Sequence, residues 1–162
     1  MKSRPFGFTL IEILMAVALI VLLAALVVPN MRPVLREANL QQSAEVLKVD
    51  LQWAREKAKA EKDLDPSYTV WVLFSPDGYL IDDVREPQPP YLRGRTWASG
   101  TAFESLTPGG GRTIGFNARG EVILDAWPES QEIRIKIIQK AGTGTAEVII
   151  NPLNGRVEVE YP

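Results

Sequence analysis

The sequence predicts an α+β fold: a long N-terminal helix, membrane-spanning in its first half, packed on a C-terminal antiparallel β-sheet domain. Three observations predict it. An almost unbroken apolar run extends from Phe8 to Val28. Apolar residues then recur with helical spacing as far as Ala58. Beyond Lys62 the pattern changes to alternation, with turn residues between short runs. The 162 residues suffice for one ordinary domain and an appendage.

The chain opens with a short polar leader, MKSRPFG, containing Lys2 and Arg4. As a helix the apolar run that follows would be about 32 Å long, close to the ~30 Å of a bilayer's hydrocarbon core. The mean hydropathy of the whole chain is only −0.03, so the run stands far above its background. Lys2 and Arg4 on the short side place the N-terminus in the cytoplasm and the rest of the chain outside the membrane. A cleaved secretory signal has a shorter apolar core and a small-x-small site, and Val28-Pro29-Asn30 is a poor one. A plain signal anchor leaves Glu12 unexplained, because a carboxylate within a membrane helix demands a partner. Glu12 lies four residues beyond Phe8, about one helical turn. A cut between Gly7 and Phe8 would free an α-amino group on one copy to neutralise Glu12 of the next.

The string GFTLIEILMAVALIVLLAALVVPN resembles the N-terminus of type IV pilins and type II secretion pseudopilins. The resemblance implies that a prepilin peptidase cuts after Gly7 and N-methylates Phe8. Residues 1–7 are then the leader and 8–29 the transmembrane and assembly helix, with Glu12 as counter-charge and Pro29 as the point where the helix loosens. It also implies an inner-membrane protein crossing once, with its C-terminal domain in the periplasm, that later enters a pilus or pseudopilus. The partners implied are other pilins or pseudopilins, the peptidase, and a membrane assembly platform.

Residues 30–62 read as an amphipathic helix continuing into the soluble domain. Pro29 and Pro33 interrupt the helical pattern at its start. Leu40, Ala44, Leu47, Leu51, Ala54 and Ala58 then form one apolar stripe, widened by Val46 and Trp53. The charges, Asp50 among them, are assigned mostly off the stripe. The simplest partner for this face is the domain's own sheet.

Residues 63–162 read as a β-rich globular domain. YTVWVLF (68–74) and YLIDDV (79–84) flank Ser75-Pro76-Asp77-Gly78, a hairpin signal. Residues 85–111, rich in Pro and Gly, read as a long irregular connection with room for a short strand around Thr101 to Leu106. RTIGFN and EVILDAW, then EIRIKIIQK, TAEVIIN and RVEVEY, complete the strands, with turns at Ala118-Arg119-Gly120 and Pro152-Leu153-Asn154-Gly155. Segments such as TIGFNARGEV (113–122) and NPLNGRVEV (151–159) resemble the C-terminal domains of the GspH/FimT branch, the minor pseudopilins and minor pilins.

Two roles fit that branch. In a type II secretion system the subunit would meet exoproteins and an outer-membrane channel. In a type IV pilus it would serve assembly or DNA uptake in competence. DNA-binding members are understood to carry G-R-x-R, which here falls on Gly155, Arg156, Val157 and Glu158, so a carboxylate replaces the second arginine. Arg156, Arg112 and Arg119 are the nucleic-acid candidates, and Arg93 and Arg95 are further arginines that convergence would recruit. Against them, residues 63–162 carry nine Lys and Arg and fourteen Asp and Glu, a balance of −5 that repels phosphate.

The chain has no Cys and no His, which excludes disulfides, thiolate nucleophiles, Ser-His-Asp triads and His- or Cys-based zinc sites. Asp82, Asp83 and Glu86 lack calcium-loop spacing, and with Asp125 and Glu129 they sit in no recognisable hydrolase context. Gly109-Gly110-Gly111-Arg112 lacks the rest of a phosphate-binding loop. The expectation is no enzyme, no metal and no cofactor. The competing reading is a membrane-anchored periplasmic enzyme or ligand-binding protein on a plain signal anchor.

Overall fold

The computed structural model describes residues 8–27, 31–83, 91–107, 111–124, 131–152 and 154–162. The chain divides into two compact units, Met1–Leu35 and Arg36–Pro162. Gly7 and Pro29, Glu86, Gly109-Gly110, and Asp125 with Glu129 fall outside the described residues.

The first unit contains α1 (Leu10–Val27) and the start of α2 (Met31–Ala60). The apolar side chains of α1, from Leu10 to Leu23, are exposed on every side of the helix. Eighteen residues make about 27 Å of helix. Among the described residues, no helix is long and apolar enough to cross a membrane.

In the second unit the predicted stripe of α2 becomes the centre of the core. Leu40, Ala44, Leu47, Leu51, Ala54 and Ala58 are all buried. The strands are β1 (Thr69–Ser75), β2 (Gly78–Asp82), β3 (Arg93–Thr96), β4 (Thr101–Thr107), β5 (Thr113–Asn117), β6 (Val122–Ile123), β7 (Ile133–Gln139), β8 (Thr145–Ile150) and β9 (Val157–Glu160). They form two antiparallel sheets, ordered β3-β2-β1-β5-β6 and β4-β7-β8-β9. Alternation decides which side chains enter the core: Val70, Val72 and Phe74 from β1, and Ile133, Ile135 and Ile137 from β7. Each such residue is worth roughly 1.5–3 kcal/mol relative to exposure. The Phe74 and Phe103 rings stack at 5.3 Å and join the two sheets through β1 and β4.

Within the connection 85–111 the short strand expected around Thr101 to Leu106 is β4, and the correction is a second strand, β3, that the sequence reading did not foresee. Arg93-Gly94-Arg95-Thr96 has no apolar alternation, and backbone pairing with β2 at the sheet edge makes it a strand. In β4 the register shifts between Phe103 and Ser105, so Thr101, Ala102, Phe103 and Leu106 are buried out of simple alternation. EVILDAW supplies only the two-residue β6 among the described residues.

Asp50 is a second correction. It lies on the buried face of α2, with its side chain 1% exposed. Arg93 Nη1 donates to Oδ1; Arg95 Nε, at 2.7 Å, and the Tyr79 hydroxyl, at 2.8 Å, donate to Oδ2. The Arg93 guanidinium also lies over the Trp53 ring, 4.2 Å from its centroid. This cluster ties the edge strand β3 to the helix where no apolar side chain does so. Burial pushes the Asp50 carboxyl up, but hydrogen bonds from Arg95, Tyr79 and Arg93 outweigh it and hold the group below the usual carboxylate range. Above it, Asn39 Nδ2 donates to the Ser99 carbonyl at 2.9 Å, and the Ser43 hydroxyl accepts from the Ala98 amide at 3.1 Å.

Replacing Asp50 by Ala would leave two guanidinium groups without their buried anion, and the expected loss is ~3 kcal/mol in denaturant titration of the full chain. A carboxyl with a lowered folded pKa stabilises fully above its unfolded value, near 3.9, and that contribution disappears as pH falls through the folded value. Acid unfolding of the wild type should therefore show a loss of stability below about pH 4 that Asp50→Asn lacks.

Candidate functional site

The start of α1 is built around Thr9. Phe8 is exposed and stands immediately before the helix, and Thr9 caps it. The Glu12 amide donates to Thr9 Oγ1 at 3.3 Å, while the Thr9 amide donates to Glu12 Oε2 at 2.8 Å. The Thr9 hydroxyl also donates to Oε2, at 2.9 Å. This is a reciprocal capping box: Glu12 satisfies the backbone at the positive end of the helix dipole. It fixes the carboxylate on the first turn and engages only one of its oxygens among the described residues. Thr9 is absent from the residues singled out in the sequence, although Thr9-x-x-Glu12 is itself a helix-start signal.

Of the three nucleic-acid candidates, two lie in turns that meet and Arg112 does not join them. Arg112 and Arg119 lie beyond opposite ends of β5. Arg119 belongs to the turn closed by Asn117, whose Oδ1 accepts from the Arg119 and Glu121 amides, each at 2.9 Å. Arg156 follows Gly155 in the β8–β9 turn, and its Nε pairs with Glu158 at 2.7 Å. These two turns meet. Arg55 Nε, on α2, donates to the Gly120 carbonyl at 3.2 Å, and a Cβ added to Gly155 would lie 2.7 Å from that same oxygen. Gly120 and Gly155 both have positive φ, 78° and 63°. Arg93 and Arg95 converge on Asp50 instead. Among the described residues no group of acidic side chains could hold a metal ion.

Comparison with known proteins addresses both ends of the chain. Residues 2–28 match the family described as the prokaryotic N-terminal methylation motif. The fold matches the crystal structure of the type IV minor pilin FimU of Pseudomonas aeruginosa, with a TM-score of 0.59. That alignment covers 76% of this chain and 92% of FimU at 20% identity. No curated protein matches the sequence. The chain thus carries the N-terminal methylation motif and folds like FimU. The matched motif contains Gly7, Phe8, Thr9 and Glu12.

Arg55 is the residue that sequence reading could not find, since nothing in its helix marks it as the meeting point of two turns. Its role is checked by Gly155→Ala, which meets both the positive φ and the crowding against Gly120. The expected cost exceeds ~1 kcal/mol, read as a lower denaturation midpoint. Thr9→Val removes the hydroxyl from the capping box and should expose the backbone amides of the first turn of α1 to faster hydrogen exchange, with the second unit unchanged.

Proposed function

We propose that this protein is a minor pilin-type subunit of a membrane-derived filament, structural in role and not catalytic. Residues 1–7 are the leader, residues 8–29 the membrane and assembly helix, and residues 30–62 the amphipathic helix that leads into the β-rich domain. The chain waits in the inner membrane with its N-terminus cytoplasmic and its domain periplasmic. A prepilin peptidase cuts between Gly7 and Phe8 and methylates the new amine, and an assembly platform feeds the subunit into the filament. The observation that carries this reading is the capped Glu12 in the first turn of α1, engaged through one carboxylate oxygen among the described residues, inside the methylation motif.

The chemistry is one of charge and burial. In an apolar surrounding an unpaired carboxylate is costly, and the Phe8 amine of a neighbour neutralises it only in the correct axial register. Glu12 therefore selects the register, while the apolar side chains of α1 supply packing area without direction. Pro29 removes one helical hydrogen bond and eases the helix out of the bilayer. The likeness in fold to FimU, a type IV minor pilin, favours a pilus over a secretion pseudopilus. Direct DNA binding is disfavoured by the Arg156–Glu158 pair and by the acidic domain.

Mass spectrometry of membrane-extracted protein should find a mature chain beginning at Phe8 and one methyl group heavier than encoded. An intact leader, or a cut near residue 30, would overturn the reading. Glu12→Val should leave membrane insertion unchanged and abolish incorporation into filaments, measured in sheared filament fractions. Deletion of the gene should depress transformation or pilus-dependent motility and leave exoprotein levels in the supernatant unchanged.

A further inference from the structure

The turn between β8 and β9 contains Asn154-Gly155, the one place in the sequence where glycine follows asparagine. Glycine leaves the backbone nitrogen after the asparagine unhindered, so that nitrogen can attack the side-chain amide. The Gly155 N–Asn154 Cγ bond forms and the Cγ–Nδ2 bond breaks. Ammonia leaves, carrying the proton that Gly155 N gives up to base. Water then opens the cyclic imide at either carbonyl and yields aspartate or isoaspartate. Solvent supplies the base and the water, and nothing is oxidised or reduced.

In the folded chain both reacting groups are tied down, although Asn154 is exposed. The Gly155 amide donates to the Asn151 carbonyl at 2.8 Å, so base cannot take its proton. Asn154 Oδ1 accepts from the Arg156 amide at 2.9 Å, which holds the side-chain amide within the turn. Gly155 itself is buried at a φ of 63°, with the Arg55 side chain and the Gly120 carbonyl packed on its α-carbon. Arg55 Nε donates to that same carbonyl at 3.2 Å, so one side chain covers Gly155 and grips the neighbouring turn.

We propose that Asn154-Gly155 is a deamidation site, and that Arg55 is the latch that keeps it closed. Attack requires Gly155 N to leave Asn151 and the backbone to rotate where Arg55 and Gly120 obstruct it. The rate therefore follows local opening of this turn. Conversion also makes the opening permanent. Isoaspartate lengthens the backbone by a methylene beside a packed glycine. Either product adds a carboxylate close to Arg156, whose Nε already pairs with Glu158 at 2.7 Å. Two other asparagines serve as internal references: Asn117 precedes alanine, and Asn151 precedes Pro152, which has no N–H to lose.

The test incubates full-length chain in detergent at mildly alkaline pH, with and without urea. Peptide mapping by mass spectrometry locates the converted residue, and isoaspartyl methyltransferase labelling counts the isoaspartate. Urea-unfolded wild type should convert at Asn154 about tenfold or more faster than folded wild type. Folded Arg55→Ala should convert about fivefold or more faster than folded wild type, whereas Arg156→Ala should keep the wild-type rate. Arg55→Lys keeps a packed stem but loses the Nε donor, and should give an intermediate rate. Tryptophan fluorescence establishes that each variant is folded, and Arg55→Lys carries the test if the alanine variant is not. Equal rates with and without urea would overturn the inference, as would conversion centred on Asn117 or Asn151. A folded Arg55 variant that converts at the wild-type rate would show that Arg55 is not the latch.

Discussion

Burial of one face of α2 is the constraint on which the rest of the second unit depends. Six apolar residues at steps of three and four, from Leu40 to Ala58, leave water together and give both sheets a common surface to cover. Three alanines are interspersed with three leucines along the stripe, and the strands supply the bulk, chiefly Phe74, Phe116 and the isoleucines of β7. Once that face is covered, alternation orients strands such as β1 and β7, whereas β3 and β4 depart from it. The polar contacts then settle where the connecting segments lie, from Asn39 and Ser43 at one end to Arg55 at the other.

Asp50 shows how a charge takes over where apolar packing runs out. The edge strand β3 offers Arg-Gly-Arg-Thr, which cannot be held by burial. A carboxylate inside the helix face, satisfied by two guanidinium groups and a tyrosine hydroxyl, holds it in place. A buried charge is tolerable only when fully partnered, so the cluster fixes one arrangement of helix and edge.

The first unit follows the opposite logic. Among the described residues of α1 the apolar side chains from Leu10 to Leu23 are exposed, a continuous apolar surface of the kind that marks an interaction face. The capping box accommodates the one charge in that helix. Glu12 is engaged by Thr9 at its own helix end, through one carboxylate oxygen among the described residues.

By itself the sequence determined the α+β class, the stripe of α2, most of the strands and the motif around Gly7, Phe8 and Glu12. These rest on local periodicity and on short strings of residues, which need no knowledge of what packs against them. The capping box was equally legible in Thr9-x-x-Glu12. Only the tertiary structure decided that Asp50 is buried, that β3 occupies part of the connection 85–111, that β4 carries a bulge, and that the turns of Arg119 and Arg156 meet at Arg55 while Arg112 stands apart. The physical reason is common to all of these. An edge strand, a register shift, a turn junction and a buried ion cluster are stabilised by partners distant in sequence, so no local pattern in their own segments records them.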